Sequence, residues 1–138
     1  MNLKVLPSRE EVLPFVERWV ELLAQDRYEE AVELVEHPLG VNLTADMLRQ
    51  VVANYGTLEP RRDGKVFRVT SLSTAVQGEG PNTQQRDVDW FDTENGFRVG
   101  HVHFDVPLNG EHSDLTATFW VNERENGFVL ELEDLHVL

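Results

Sequence analysis

The sequence predicts an α+β domain in which three amino-terminal helices pack on a curved antiparallel sheet of about five strands that ends in a four-stranded meander. Two observations carry this prediction. Apolar residues recur at helical spacing in three stretches of the first half of the chain. Asn-Gly pairs then divide the last third into four alternating segments, and each pair predicts a tight hairpin turn. These pairs are Asn95-Gly96, Asn109-Gly110 and Asn126-Gly127.

Length and composition restrict the class of protein. A chain of 138 residues, 41% hydrophobic and 27% charged, fits one domain, residues 1–138, that can bury its own core. No apolar run is long enough to span a bilayer or to act as a signal peptide, so we expect a cytoplasmic protein of bacterial type. The absence of cysteine excludes disulfides, thiolate metal sites and a cysteine nucleophile.

The excess of acidic residues bears on possible partners. A net charge of -13 repels phosphate backbones, so we expect no binding to nucleic acid, and we expect none to membranes. The same charge attracts a basic protein and speeds the encounter. No motif in the sequence indicates a cofactor.

The three helices are predicted from capping signals as well as from apolar stripes. Ser8 followed by Glu11 has the spacing of a capping box at the start of the first helix. Asp26 and Thr44 repeat the N-cap signal for the second and third helices. Gly56 is placed to end the third helix.

The sheet is predicted to begin after the helices. Residues 65–76 are rich in β-branched side chains and predict a first strand, and residues 77–85 predict a loop. The four segments around the Asn-Gly pairs then form the meander. Treating each pair as a two-residue turn fixes which residues lie opposite one another.

This register sorts the side chains of the meander onto two faces. It places His103 opposite Thr116, Asp105 opposite Asp114, and Trp90 opposite His101. The face expected to pack on the helices carries Val102, Phe104, Leu115, Ala117, Phe119, Val121, Leu130 and Leu132. The other face mixes aromatic and polar groups, and its candidate ligand or partner residues are Trp90, Val99, Thr116, Thr118, Trp120 and His136.

The last strand changes phase. Leu130 and Leu132 alternate correctly, but Leu135 and Val137 do not continue the alternation. A β-bulge near Glu133-Asp134 would return both later residues to the helix-facing side. We therefore predict a bulge there.

Four residues of the mixed face are candidates for catalysis: His101, His103, Asp105 and Asp114. Two carboxylates that face each other across a ladder can share a proton and act as a general acid and base, with His103 as partner. The competing interpretation is that Arg86 neutralises one carboxylate. The His-x-His pair could also bind a metal, but stacking on Trp90 is favoured, so no metal is expected.

A resemblance to a known superfamily rests on the order of the elements and on two segments, PLNGEHSDLTATFWV and LEDLHVL. Helices capped at Ser8, Asp26 and Thr44 and followed by a long sheet resemble the nuclear transport factor-like, or cystatin-like cone, superfamily. The resemblance implies a bent sheet wrapped around the helices, a pocket between them, and dimers formed through the outer face of the sheet. That superfamily includes ketosteroid isomerases, polyketide cyclases and dehydratases beside many non-catalytic binding domains.

These observations lead to two functional hypotheses. The first is a non-catalytic binding protein, a homodimer through the mixed face, that recognises a basic protein partner or a small molecule. An immunity-type protein that masks a basic toxin is one specific form. The alternative is a small cofactor-independent lyase or isomerase with a pocket that carries the histidines and aspartates.

Overall fold

The computed structural model describes residues 8–37, 43–57, 59–77, 84–91, 97–125 and 127–137. Within them lie three helices, a 3₁₀ turn (Leu72–Thr74) and one antiparallel sheet with the strand order β1-β2-β3-β4. The predicted α+β class, with three amino-terminal helices and a four-stranded meander, is confirmed. The helices are α1 (Arg9–Ala24), α2 (Tyr28–Leu34) and α3 (Ala45–Ala53), and the strands are β1 (Arg86–Trp90), β2 (Arg98–Asp105), β3 (Leu115–Arg124) and β4 (Gly127–Val137).

The helices begin at two of the three predicted caps. Ser8 is the N-cap of α1, and Thr44 is the N-cap of α3, where its hydroxyl accepts a hydrogen bond from the Met47 amide at 3.1 Å. The predicted cap at Asp26 is wrong by one residue, because Arg27 is the N-cap of α2. Asp26 instead has a φ of 58° and belongs to the turn that ends α1. None of the described helices is long and apolar enough to cross a membrane.

Residues 65–76 do not form the continuous first strand that their composition predicts. Val69 and Val76 make single bridges, to Leu108 and Glu111 respectively, on either side of the 3₁₀ turn. The amide of Val76 donates to the carbonyl of Gly110, so this segment follows the hairpin loop instead of a full strand. Of the five predicted strands, the four of the meander form regular strands within the described residues.

The core lies between the helices and one face of the sheet. Trp19 of α1 is fully buried and its ring meets that of Phe119 of β3 edge to face, with centroids 5.1 Å apart. All eight sheet residues predicted for this side are buried. They are Val102, Phe104, Leu115, Ala117, Phe119, Val121, Leu130 and Leu132.

The pairing of β2 with β3 keeps the predicted faces but is displaced along the strands. Asn109 and Gly110 have φ values of 52° and 84°, as a type I′ turn requires. Beyond this turn the hydroxyl of Ser113 donates to the carbonyl of Val106 and accepts from a following amide, which interrupts the ladder. Asp105 consequently pairs with Thr116. The predicted opposition of Asp105 and Asp114 is wrong.

The pairing of β3 with β4 contains the predicted bulge. Phe119 pairs with Leu132, whereas Thr118 pairs with Asp134, so Glu133 is the extra residue. Leu135 returns to the helix-facing side and is buried. The prediction of a bulge at Glu133-Asp134 is confirmed.

The pairing of β1 with β2 is offset by one residue, and this reverses the faces predicted for β1. Val88 lies opposite Val102, and Trp90 lies opposite Gly100 and packs over it. The predicted placement of Trp90 beside His101 is therefore wrong. The pairing of β1 with β2 runs without a break from Arg86 to Trp90, so a two-residue turn does not describe how these strands are connected, and an offset of one residue reverses the faces. The bulge at the start of β2 lies in its pairing with β3. The Asn95-Gly96 pair itself lies outside the described residues.

The same bulge moves Val99 into the core. Its predicted position was on the mixed face, but Val99 is fully buried with the apolar residues that meet the helices. A bulged residue leaves the strict alternation of the strand, so its side chain can turn to the opposite side. Val99 is a packing residue and not part of the candidate face.

Candidate binding face

The outer face is the side of the sheet that points away from helix α1. Its side chains come from all four strands and mix carboxylates, imidazoles, hydroxyls and one indole. They are Asp87, Asp89, Arg98, His101, His103, Thr116, Thr118, Trp120, Glu131 and Glu133.

Three rings and a carboxylate form the centre of this face. The ring of His101 lies 4.5 Å from that of Trp120 and 4.6 Å from that of His103, measured between centroids. The Nε2 atom of His101 lies 2.8 Å from Oε1 of Glu133. Glu133 can reach His101 because it is the bulged residue of β4. The bulge that the sequence predicts thus positions a carboxylate beside the histidines.

The ionisation of Glu133 reflects these neighbours. Burial raises the pKa of its carboxyl, but the hydrogen bond from His101 and the charges of His101 and His103 outweigh it. The resulting pKa of Glu133 lies below its ordinary value of 4.5. Near neutral pH this carboxylate is ionised, and a protonated His101 would form an ion pair with it.

A second network fixes the indole of Trp120. The guanidinium of Arg98 lies over this ring, 4.5 Å from its centroid, and donates to Glu131 at 3.1 Å. Glu131 also accepts from the side-chain amide of Asn122 at 2.9 Å. Both Asn122 and Glu131 are buried although they lie on the outer side of the sheet. The orientation of Trp120 is therefore set before any partner binds.

The two predicted catalytic aspartates occupy separate structural positions. Asp105 is buried and accepts from the hydroxyl of Thr116 and from the amide of Gln85, both at 2.7 Å. Asp114 accepts from the hydroxyl of Tyr55, which follows α3 in the chain. Each carboxylate is held by its own partner. The structure brings together His101 and His103 but does not pair the aspartates.

The sequence does not decide whether Tyr55 packs in the core or reaches into a pocket. Its φ of 59° turns the ring away from the end of α3 and against Phe67, at 4.8 Å between centroids. Burial and the neighbouring Asp114 raise the pKa of Tyr55 to about 12. Its hydroxyl is a proton donor that connects the helical layer to the loop before β3.

The remaining residues predicted for the mixed face lie on the outer face of the sheet. Thr116 and Thr118 are buried between neighbouring side chains, and Trp120 is half-buried. His136 pairs with Thr116, and its Nδ1 atom lies 3.0 Å from Oδ2 of Asp134. Thr116, Thr118 and His136 lie towards the end of β4, whereas Trp120 lies opposite Glu131 near its middle.

Sequence reasoning missed the carboxylates of β1. Asp87 lies directly opposite His103 and Asp89 opposite His101. Both are exposed, and within the described residues neither has a hydrogen bond or an ion pair. The alternation of acidic and apolar residues from 87 to 90 is visible in the sequence. The predicted register placed the acidic side of β1 on the wrong face of the sheet. The sequence therefore did not show that these carboxylates lie beside the histidines.

The outer face combines an indole with carboxylates. Across the described residues, no group of three or more His, Asp and Glu side chains is arranged to hold a metal ion. An indole flanked by carboxylates suits a guanidinium or ammonium group, which gains from both the ring face and the negative charge.

One family model matches most of the chain. It is described as a domain of unknown function (DUF7668), and it matches residues 20–138. The chain belongs to this family. The match includes the whole sheet and thus every residue of the outer face. No curated protein matches the chain, and no solved structure matches it.

Proposed function

We propose that this protein is a non-catalytic binding module that docks a basic segment of another protein on the outer face of its sheet. An immunity-type protein that covers a basic toxin is one form of this function. The single observation that carries the proposal is a pair of exposed carboxylates on β1, Asp87 and Asp89, that have no partner among the described residues and lie next to the ring cluster of His101, His103 and Trp120.

The charge balance of the outer face supports a basic partner. Its arginine, Arg98, already pairs with Glu131. Asp87 and Asp89, which pair with no side chain in the part of the protein that the structure describes, can accept a Lys or Arg side chain, and the net charge of -13 adds long-range attraction. A complementary charge speeds association and rejects acidic partners.

The aromatic content supports a specific contact in addition to general attraction. Phe91 is 37% exposed and lies beside Trp120, 5.9 Å between ring centroids. Aromatic anchors of this kind supply much of the energy at protein interfaces. An arginine of the partner could stack on these rings while it pairs with Asp89.

A second copy of the chain fits this face less well. A symmetric dimer would bring two sets of Asp87 and Asp89 towards one another, and like charges at an interface cost free energy. The lyase or isomerase alternative gains less support because Asp105 and Asp114 already hold Thr116 and Tyr55 respectively. We therefore favour a basic partner over both.

The number of strands and the curvature of the sheet are also part of what we propose. We propose that the sheet is curved as in the nuclear transport factor-like type and that residues 65–76, which make single bridges at Val69 and Val76 but no continuous strand, take the place of its fifth, edge strand. In that arrangement the outer face is the convex surface of the sheet. A shared fold would not by itself confer catalysis, so this assignment is compatible with a binding function.

The experiment measures binding of a fluorescein-labelled nine-residue arginine peptide by fluorescence anisotropy. The test variant is Asp87→Asn/Asp89→Asn. The control variant, Glu29→Gln/Glu33→Gln, removes the same charge from exposed positions of α2. We expect the test variant to bind about tenfold more weakly and the control to change by less than about twofold, since each exposed pair is worth up to about 1 kcal/mol.

Three outcomes contradict the proposal. Equal losses in the two double variants would show that only the total charge matters. Affinity that stays constant from low to high salt would exclude electrostatic docking. A stable homodimer that Trp120→Ala dissociates would assign the face to a second copy.

A further inference from the structure

A cavity lies between α3 and β4, and its lining includes Glu133, the carboxylate that contacts His101. It has a volume of about 250 Å³. Its apolar lining comes from Leu43, Leu48 and Val51 on the helical side and from Leu132 and Leu135 on β4. Leu132 and Leu135 lie on either side of the bulge, so the irregularity that carries Glu133 also shapes this cavity.

The polar side chains that line the cavity are those of His37, Thr57, Glu133 and Asp134. Nε2 of His37 lies 3.0 Å from the carbonyl of Val32, which can only accept, so Nε2 carries the hydrogen. In the neutral ring Nδ1 is then an acceptor, and it is buried without a partner among the described residues. Such a group costs free energy until a donor reaches it.

The second polar group is the carboxylate of Asp134, whose side chain is 59% exposed. It accepts from the amide of Leu135 at 2.8 Å and lies 3.0 Å from the ring of His136. A carboxylate has about four acceptor positions, so these contacts leave room for a further donor. An ammonium group could sit at this exposed carboxylate without losing all of its water.

We propose that this cavity binds a small organic amine whose apolar body fills the space between α3 and β4 and whose ammonium group pairs with Asp134. The size argues for a body of about two rings, since a dry apolar cavity of about 150 Å³ already holds benzene. The charge argues for a cation over an acid, because the lining offers acceptors and a negative group. This inference is independent of the partner proposed for the outer face.

The experiment compares three probes of nearly equal shape by isothermal titration calorimetry. They are 1-naphthylmethylamine, 1-naphthalenemethanol and 1-naphthoic acid. We expect the amine to bind about fivefold more tightly than the alcohol, as for one exposed ion pair. We expect it to bind at least tenfold more tightly than the acid, which meets like charge.

Three variants locate the site. Val51→Phe fills the cavity and should abolish binding of the amine and the alcohol, with circular dichroism as the check on folding. Asp134→Asn should weaken the amine about fivefold and leave the alcohol unchanged. Asp89→Asn, with the same change of charge on the outer face, should leave both probes unchanged.

The results decide the proposal in either direction. Binding that follows this order, together with amide shifts in nitrogen-proton NMR spectra at Leu43, Val51 and Leu132, supports it. No heat of binding for the amine at millimolar concentration overturns it. So does amine affinity that is the same in Asp134→Asn as in the unchanged protein, or amide shifts confined to the outer face.

Discussion

On the helix-facing side of the sheet Phe104, Phe119 and Val121 have no exposed surface, and on the outer face Thr116 and Asn122 are nearly as inaccessible although both are polar and hydrogen-bonded. The first set is stabilised by removal of apolar area from water and by close packing. Both depend on how well the side chains fill the available volume, and neither needs a partner atom in a particular direction. The second set depends on individual hydrogen bonds, because a buried polar group without a partner is costly. One side of the sheet therefore tolerates changes of shape poorly, and the other tolerates changes of single atoms poorly.

The largest effect is expected on the helix-facing side. Phe119→Ala removes the ring that meets Trp19 and leaves a cavity, so it should lower the free energy of unfolding by about 3–5 kcal/mol. Urea denaturation monitored by circular dichroism measures this loss. The matched control is Phe97→Ala, at a position 52% exposed, where we expect less than about 1 kcal/mol. Equal losses at the two positions would contradict the assigned core.

A smaller but still large effect is expected from one atom of the outer face. Thr116→Val keeps the shape of the side chain but removes the hydroxyl that donates to buried Asp105. The carboxylate would lose one of its donors, which should cost about 1.5–3 kcal/mol in the same denaturation assay. Thr74→Val in the exposed 3₁₀ turn serves as the control, with an expected change within about 0.5 kcal/mol. A neutral Thr116→Val would mean that Asp105 does not depend on this donor.

The titration of the two tyrosines measures how well the protein shields their hydroxyl groups from water. The chain has two, and their pKa values are both raised to about 12: Tyr28 by burial and the charge of Asp26, Tyr55 by burial and Asp114. Because these values lie above the ordinary value of 10.0, the stabilisation is complete below about pH 10 and is lost as the pH rises through about 12. Absorbance at 295 nm should therefore stay flat through about pH 10 in the folded protein.

The variant Tyr55→Phe separates the two tyrosines. It should halve the absorbance change and lower the free energy of unfolding by about 1 kcal/mol through loss of the hydrogen bond to Asp114. An ordinary tyrosine titration near pH 10 in the folded unchanged protein would contradict the assigned burial of both rings.

The smallest effect is expected at the contact of His101 with Glu133. The pKa of Glu133 is lowered in the folded state, so its stabilising effect is present above about pH 4.5 and is lost as the pH falls through the folded value. Glu133→Gln should cost about 0.5 kcal/mol at pH 7, as for a partly exposed pair, and nothing below the folded pKa. The measurement is the difference in unfolding free energy between the two proteins at pH 7, 5 and 3. A difference that grows towards pH 3 would contradict the assigned contact.

Local sequence determined the features that depend on a few neighbouring residues. The turn at Asn109-Gly110 forms because both residues accept positive φ, and the N-cap at Thr44 forms because its hydroxyl is three residues from the amide it accepts from. The bulge at Glu133 follows from the need to bury Leu132 and Leu135 on one side. The buried and polar faces of β2, β3 and β4 follow from the same alternation.

Only the tertiary structure decided which face each residue of β1 occupies and how the strands slide along one another. An offset of one residue in the pairing of β1 with β2 reverses the faces of β1, and it carries no local signal in the sequence. Contacts between distant residues are equally hidden: Tyr55 reaches Asp114, and His101 reaches Glu133. Alternation along one strand is a local property, whereas register is set by the sum of contacts between strands. The sequence by itself therefore predicts a polar face, and the tertiary structure decides which of its charges are paired and which remain free to bind.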